Sequence, residues 1–386
     1  MPSSMGTGGN EVVERLGTGE PGCPICSTSD PKVAKARAIP LSVGILLALL
    51  LAACSTTSTS RSPSTTKSRA PTPARTAKAV PSRVTPHGLW VSDINAATVT
   101  DFESPPGSSP AIVVSRQMSH PDALAFDAAG NLWVGDGSSS SHPPAIEEYS
   151  PNELLHNSAP GEVVTKLGQA ISPEGLAFDA TGDLWVAGGT AVVEYSAASL
   201  HDNPSPARTM AASSLIDGPD SLAFDQAGDL WVASYNNRML VEYSTRSLSS
   251  SHPRASRQIQ LSPGVAPYAI AFDPRGDLWV ASRNDTVVEY AASTLGTTNV
   301  PSATLNMSSF ISGGVTGIAF DSQGNLWASA VGSSNAGQPE GIVYEYAAST
   351  LGTTNTPASH LVASSSSNPG TWALAFFPPS SNPSHG

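Results

Sequence analysis

The sequence predicts an all-β fold: a six-bladed β-propeller with four-stranded blades, closed by one C-terminal inner strand at 372–377 and three N-terminal strands within 88–118. Three observations predict it. A repeat near 50 residues long is built from short apolar strings, and the two ends of the repeat array hold complementary fragments of one more unit. Gly and Pro number 33 each and charged residues are only 13%, which favours short strands joined by turns over helices.

The first string of the unit is LAFDAAGNLWV at 124–134, LAFDATGDLWV at 176–186 and LAFDQAGDLWV at 222–232. It returns as IAFDPRGDLWV at 270–280 and IAFDSQGNLWA at 318–328, each copy giving two strands joined by an Asp-x-x-Gly turn. In that turn the Asp carboxylate can accept backbone N–H groups, and the Gly supplies a positive φ. One Asp in a five-residue turn falls far short of the six to eight oxygens of a calcium loop. A third strand follows as IEEY, VVEY, LVEY, VVEY and VYEY, ending at Tyr149, Tyr195, Tyr243, Tyr290 and Tyr346. The Phe residues of the first strand lie 52, 46, 48 and 48 apart, a period suited to a propeller blade.

The ends complete the count. LWVS at 89–92 and VTDF at 99–102 match second and third strands with no first strand before them. Leu374, Ala375 and Phe376 match a first strand with nothing after it, and Phe377 stands where the turn Asp belongs. Joining the two fragments closes the ring and removes its open sheet edges. All seven Trp (Trp90, Trp133, Trp185, Trp231, Trp279, Trp327 and Trp372) fall in these units, and their recurrence predicts a core layer between blades. The same holds for the ring of Phe102 and the five Tyr. A second recurring row, Asp101, Glu148, Glu194, Glu242, Glu289 and Glu345, is expected to be structural or solvent-facing, with turn N–H groups or the few arginines as partners.

One row differs from blade to blade. The residues just before the innermost strands are Asp122, Glu174, Asp220, Tyr268, Thr316 and Thr371. They are expected to ring the mouth of the central channel as ligand-binding candidates, three acids followed by three neutral groups. The three acids could hold a divalent cation or meet a cationic or hydroxyl-rich ligand. No other cofactor is indicated. The eight His show no metal-binding spacing, no Ser sits in a nucleophile-elbow string, and no catalytic residue is assigned.

The recurring unit, with its Pro-x-x-Leu/Ile-Ala-Phe-Asp start and its Glu-Tyr strand, resembles the NHL repeat class of six-bladed β-propellers over about residues 87–377. That resemblance implies a binding platform for a protein, a glycan or RNA. More distantly, the chain is similar to senescence-marker/gluconolactonase proteins, which would imply a metal-dependent hydrolase or lyase. Their Glu, Asn and Asp cage around one metal would be matched loosely by Glu174 and Asp220.

Residues 40–53, PLSVGILLALLLAA, form an apolar run of 14 preceded by Lys32, Lys35 and Arg37. The run is short for a bilayer span and suits a signal peptide over 32–53. Leu51, Ala52, Ala53 and Cys54 resemble the lipobox of bacterial lipoproteins, which implies cleavage before Cys54, a diacylglycerol on its sulfur and palmitate on its amine. The partner implied is the lipid bilayer, at the cell membrane or outer membrane. Residues 1–31 precede the signal and include Cys23 and Cys26. Either the true start lies near Val33, or this extension is real and cytoplasmic. A lone CxxC lacks the second ligand pair of a closed zinc site.

Residues 54–86 read as a tether rich in Ser, Thr and Pro, with six basic residues and no acid beyond Cys54. The body from His87 to about 379 carries nine basic and 27 acidic residues, and 380–386 form a tail. An acidic body excludes nucleic acid as a partner. The expected protein is a tethered, monomeric, non-enzymatic binding or scaffold domain for a protein or glycan.

Overall fold

The computed structural model describes residues 88–103, 110–139, 142–168, 172–211, 213–330, 341–363 and 370–377. The extension with Cys23 and Cys26, the signal segment, Cys54, the tether and the tail lie outside the described residues. Among the described residues no helix is long and apolar enough to cross a membrane.

The described strands form six antiparallel four-stranded sheets. Written from the inner strand outward, the first blade is Thr371–Phe377, Gly88–Asp93, Thr98–Glu103 and Ile112–Val114. The second is Pro121–Phe126, Leu132–Asp136, Ala145–Tyr149 and Glu162–Val164; the third is Gly175–Phe178, Leu184–Gly188, Ala191–Tyr195 and Arg208–Ala211. The fourth is Pro219–Phe224, Leu230–Ser234, Met239–Tyr243 and Arg257–Gln260; the fifth is Pro267–Phe272, Leu278–Ser282, Thr286–Tyr290 and Ala303–Asn306. The sixth is Val315–Phe320, Leu326–Ala330, Ile342–Tyr346 and Ser359–Val362. Inner strands pack in ring order, and the last segment pairs with the first, Leu89 opposite Phe376 and Trp90 opposite Ala375. The predicted closure is what the chain adopts.

The seams between blades follow from the repeat. Each inner-strand Phe packs edge-on against the second-strand Trp of the blade before it: Phe126 on Trp90, Phe178 on Trp133, Phe224 on Trp185, Phe272 on Trp231, Phe320 on Trp279 and Phe376 on Trp327. The centroids lie 5.9–6.4 Å apart, within the range of favourable T-shaped pairs. These six Trp are at most 3% exposed. Burying about 200 Å² on each contributes at most roughly 5 kcal/mol per ring. Phe102 and the five third-strand Tyr are buried in the same seams.

The Asp of each turn has a double task. Its Oδ1 accepts the N–H groups two and four residues on, as in Asp127 with Ala129 and Asn131. Its Oδ2 accepts the indole N–H of the following strand, from Trp133, Trp185, Trp231 and Trp327 at 3.1–3.3 Å. Two blades lack the indole bond. In the first, Phe377 replaces the Asp; in the fifth, Arg275 occupies Oδ2 of Asp273. In those two blades the indole nitrogens of Trp90 and Trp279 are buried without a hydrogen-bond partner.

Three residues of the recurring acidic row find the expected arginines, and Glu148 finds a histidine instead. Glu194 pairs with Arg208, Glu242 with Arg257 at 3.0 Å, Glu289 with Arg275 at 3.5 Å and Glu148 with His201 at 3.2 Å. A further device joins the outer strands. Side-chain oxygens of Asn157, Asn203, Asn299 and Asn355 accept the backbone N–H of Ser115, Thr165, Gln260 and Asn306 in the preceding blade, at 2.9–3.2 Å. These bonds occupy edge donors that would otherwise be free to pair with another chain.

One expectation needs correction. Trp372 does not join the seam layer. It lies two residues before Leu374, whereas the seam Trp are second-strand residues, so its ring falls on the channel side.

Candidate binding site

The inner strands bound a cavity of about 160 Å³ on the ring axis. Its apolar lining is one residue per blade: Leu124, Leu176, Leu222, Ile270, Ile318 and Leu374. At the mouth the strands are irregular. Pairing steps from Pro121–Asp136 to Ala123–Gly135, leaving Asp122 as an extra residue. Asp220, Tyr268 and Thr316 are extra in the same way on their blades. The first blade shifts register between Val91 and Asp93, opposite Trp372 and Ala373. Such a bulge turns a side chain out of the ladder and re-aims it. Here it turns Asp122, Asp220, Tyr268 and Thr316 out of the ladder, at the position that varies between units.

Asp122, Glu174, Tyr268 and Thr316 line the cavity as expected from sequence. Asp220 stands beside them, its carboxyl hydrogen-bonded to Glu174. Thr371 does not line it: its side chain is buried and donates to the carbonyl of Ala330 at 2.8 Å. Trp372 takes the position instead. The shift of one residue comes from the first-blade bulge, which no sequence pattern marks. Thr316 also turns inward, donating to the carbonyl of Thr371 at 3.0 Å.

The mouth has an acidic arc and an aromatic arc. Burial and the neighbouring Glu174 push the Asp220 carboxyl up to about 9, and burial raises Glu174 as well. Two carboxyl groups in one hydrogen bond keep a proton between them at neutral pH. Asp122 is also raised by burial, with the His120 ring opposing the shift from 2.8 Å. His120 is raised in turn, chiefly by that hydrogen bond. The backbone N–H groups of Ser119 and His120 bond to Asp136, fixing the approach of this segment. Across the mouth, Tyr268 stacks on Tyr235 at 5.3 Å and 15°, and its other neighbour is the Trp372 ring at 5.7 Å. Arg283 donates to the Tyr235 hydroxyl at 2.8 Å.

Among the described residues, no three His, Cys, Asp or Glu side chains gather closely enough to hold a metal ion. The residues that sequence reasoning missed are His120, Tyr235 and Trp372. His120 lies just before the inner strand Pro121–Phe126 and meets Asp122 at its bulge.

Known proteins place this chain by architecture. The family model for the SMP-30/Gluconolactonase/LRE-like region matches residues 88–250. The chain is thus similar to a gluconolactonase-type propeller over its first blades, the more distant of the two resemblances seen in the sequence. Among solved structures, a protein of unknown function from Bacteroides caccae is 11% identical with a TM-score of 0.53, covering 75% of this chain and 98% of that one. A chain of a mitotic checkpoint complex is 14% identical with a TM-score of 0.44, covering 64% of each. Comparison with curated proteins gives no match.

Proposed function

We propose that this protein is a lipid-anchored, extracytoplasmic binding propeller, acting without catalysis on a protein or glycan ligand that enters the channel mouth. The supporting observation is the contrast at the inner-strand bulges, where a regular ring turns out side chains that change around it, Asp122, Asp220, Tyr268 and Thr316. The cavity of about 160 Å³ is well below the roughly 300–1,000 Å³ of sites that enclose a small molecule. It takes the end of a larger ligand, with the loops around the mouth meeting the rest. A metal-dependent hydrolase or lyase would need a ligand set that the described residues do not gather, so no metal step is assigned.

The anchor rests on the Leu-Ala-Ala-Cys string at 51–54 after the apolar run, and the tether at 54–86 gives the propeller reach from the bilayer. The test has two arms. Labelled palmitate should enter the full chain and fail to enter Cys54→Ser; labelling of that variant would remove the anchor. The purified full chain should be retained on immobilised envelope glycan or on envelope protein, and Glu174→Gln/Trp372→Leu should lower retention at least tenfold. Equal retention of that variant would place binding elsewhere on the ring.

A further inference from the structure

The binding reading leaves the chemistry of the inserted group open, and the walls of the cavity narrow it. One wall is acidic, with Asp122 and Glu174 lining the cavity and Asp220 bonded to Glu174. The facing wall is aromatic, with Tyr268 and Trp372 lining it and Tyr235 stacked behind. The floor is a ring of Leu and Ile. No Lys or Arg is among the lining residues, so the acids have no cation opposite them in the cavity. Arg283 is engaged at the far side of the aromatic stack, on the Tyr235 hydroxyl.

A sugar is poorly served here, since ionised carboxylates offer only acceptors and the proton-sharing pair offers one donor at most. A small inorganic cation would make no use of the apolar floor. A positive head with an apolar stem uses all three surfaces. It gains charge attraction from the acids, the negative faces of the aromatic rings, and burial of its methylenes. The volume admits such a head and a short stem and little more.

We propose that the channel mouth is a receptor for an alkylammonium group, held between the Glu174–Asp220 pair and the Tyr268 and Trp372 rings, its source being a lysine side chain of a protein partner. This inference rests on the binding reading and names the ligand chemistry of the same site. The groups facing the Glu174–Asp220 pair are Asp122 with its His120 from the second blade and Tyr268 from the fifth. An arriving cation favours the fully ionised pair, so binding releases the shared proton. Affinity for a fixed-charge cation therefore rises with pH until the pair has lost its proton, near 9.

The experiment is calorimetric titration of the full chain with n-butylammonium, tetramethylammonium, Nα-acetyl-lysine methylamide, 1-butanol, methyl glucoside and calcium. The two ammonium ions and the lysine derivative should saturate one site at least tenfold more tightly than 1-butanol, with heats that depend on the buffer through proton release. Tetramethylammonium should bind at least tenfold more tightly at pH 9 than at pH 6, and Glu174→Gln/Asp220→Asn should reduce that dependence to the part left by His120 losing its proton beside Asp122. Trp372→Leu should weaken the ammonium ions at least threefold without moving the melting temperature of the fold. Should that variant fail to fold, Tyr268→Leu removes the other ring of the same wall and should weaken the ammonium ions at least threefold.

Butanol binding as tightly as butylammonium, or calcium competing at equal concentration, would overturn the inference. Saturable binding of methyl glucoside with silent ammonium ions would overturn it and leave the binding reading standing. Butylammonium binding without the lysine derivative would refute the lysine source. Ammonium binding beside a failed macromolecular retention assay would support this site and remove the larger platform reading.

Discussion

At the seams, one solution recurs around the ring: a Phe edge-on to a Trp in all six, and an Asp tied to that Trp's neighbour in four blades. Just before the regular pairing of the innermost strands, at the channel mouth, the six blades present Asp122, Glu174, Asp220, Tyr268, Thr316 and Trp372. A position that repeats carries packing common to every unit. A position that varies on the same scaffold is released from packing and is available for recognition. The contrast separates stability from function more sharply than burial does, because Asp122 and Thr316 are as buried as many core residues.

The largest expected effect is on the shared layer. A chain stopped at Gly370 loses Leu374, Phe376 and Phe377, and with them the rings packed on Trp327 and Phe126. A fully buried aromatic costs about 3–5 kcal/mol on truncation; these two rings are partly buried, but they go together with buried Leu374 and a whole strand's ladder, against a whole-domain stability of about 5–15 kcal/mol. That chain should show no cooperative melting transition by circular dichroism, whereas one stopped at Pro379 should melt like the parent. A parent-like transition in the shorter chain would mean that the ring does not need its closing strand.

The next effect comes from the one seam position that breaks the pattern. Glu147 sits in the third strand where the other blades have Thr100, Val193, Val241, Val288 and Tyr344. It is 3% exposed, and the Tyr149 hydroxyl lies 2.7 Å from its Oε2. Burial pushes its carboxyl up to about 8. Between about 4.5 and 8 the folded chain holds a proton there that the unfolded chain has lost, so stability falls as pH rises through this window. The slope from this group is at most about 1.4 kcal/mol per pH unit. Urea midpoints of Glu147→Gln should be flatter across pH 5–8 than those of the parent; parallel curves would show that the residue does not titrate in this window.

The smallest effect compares two turns. Asp321→Ala removes acceptors from Gln323, Asn325 and the Trp327 indole and should cost about 2–3 kcal/mol. Asp273→Ala should cost about 1 kcal/mol less, because it loses no indole bond and the Arg275 guanidinium it loses instead is largely exposed, so that pair contributes little. Equal losses in urea denaturation would mean that the indole tie contributes nothing.

The blade count, the strand strings and the closure were legible because Phe, Asp, Gly and Trp recur at fixed offsets and each offset has a mechanical reason. The acidic arc was legible for the same reason, as the variable position of a regular unit. Trp372 was misread because a bulge in the first blade moves the register by one residue and leaves no trace in composition, and a separate bulge in the second blade hid the contact of His120 with Asp122. The Asn bonds between outer strands did leave a signal. Asn157, Asn203, Asn299 and Asn355 each precede, by a few residues, a Pro at the head of an outer strand.

The first blade joins residues far apart in the chain, as in the bond from the Ala373 N–H to the Ser92 hydroxyl across 281 positions. The ribosome therefore finishes five units while the first blade still lacks its innermost part. Until residue 377 is released, Gly88–Asp93 offers an unpaired edge to any extended chain nearby. Closing so long a loop adds little to its entropic cost, since that cost grows only with the logarithm of length, but it delays the rewarding contacts until Thr371–Phe377 has emerged. The chain is thus at its most aggregation-prone just before that strand emerges, and whatever holds it extended until then acts on the side of correct folding.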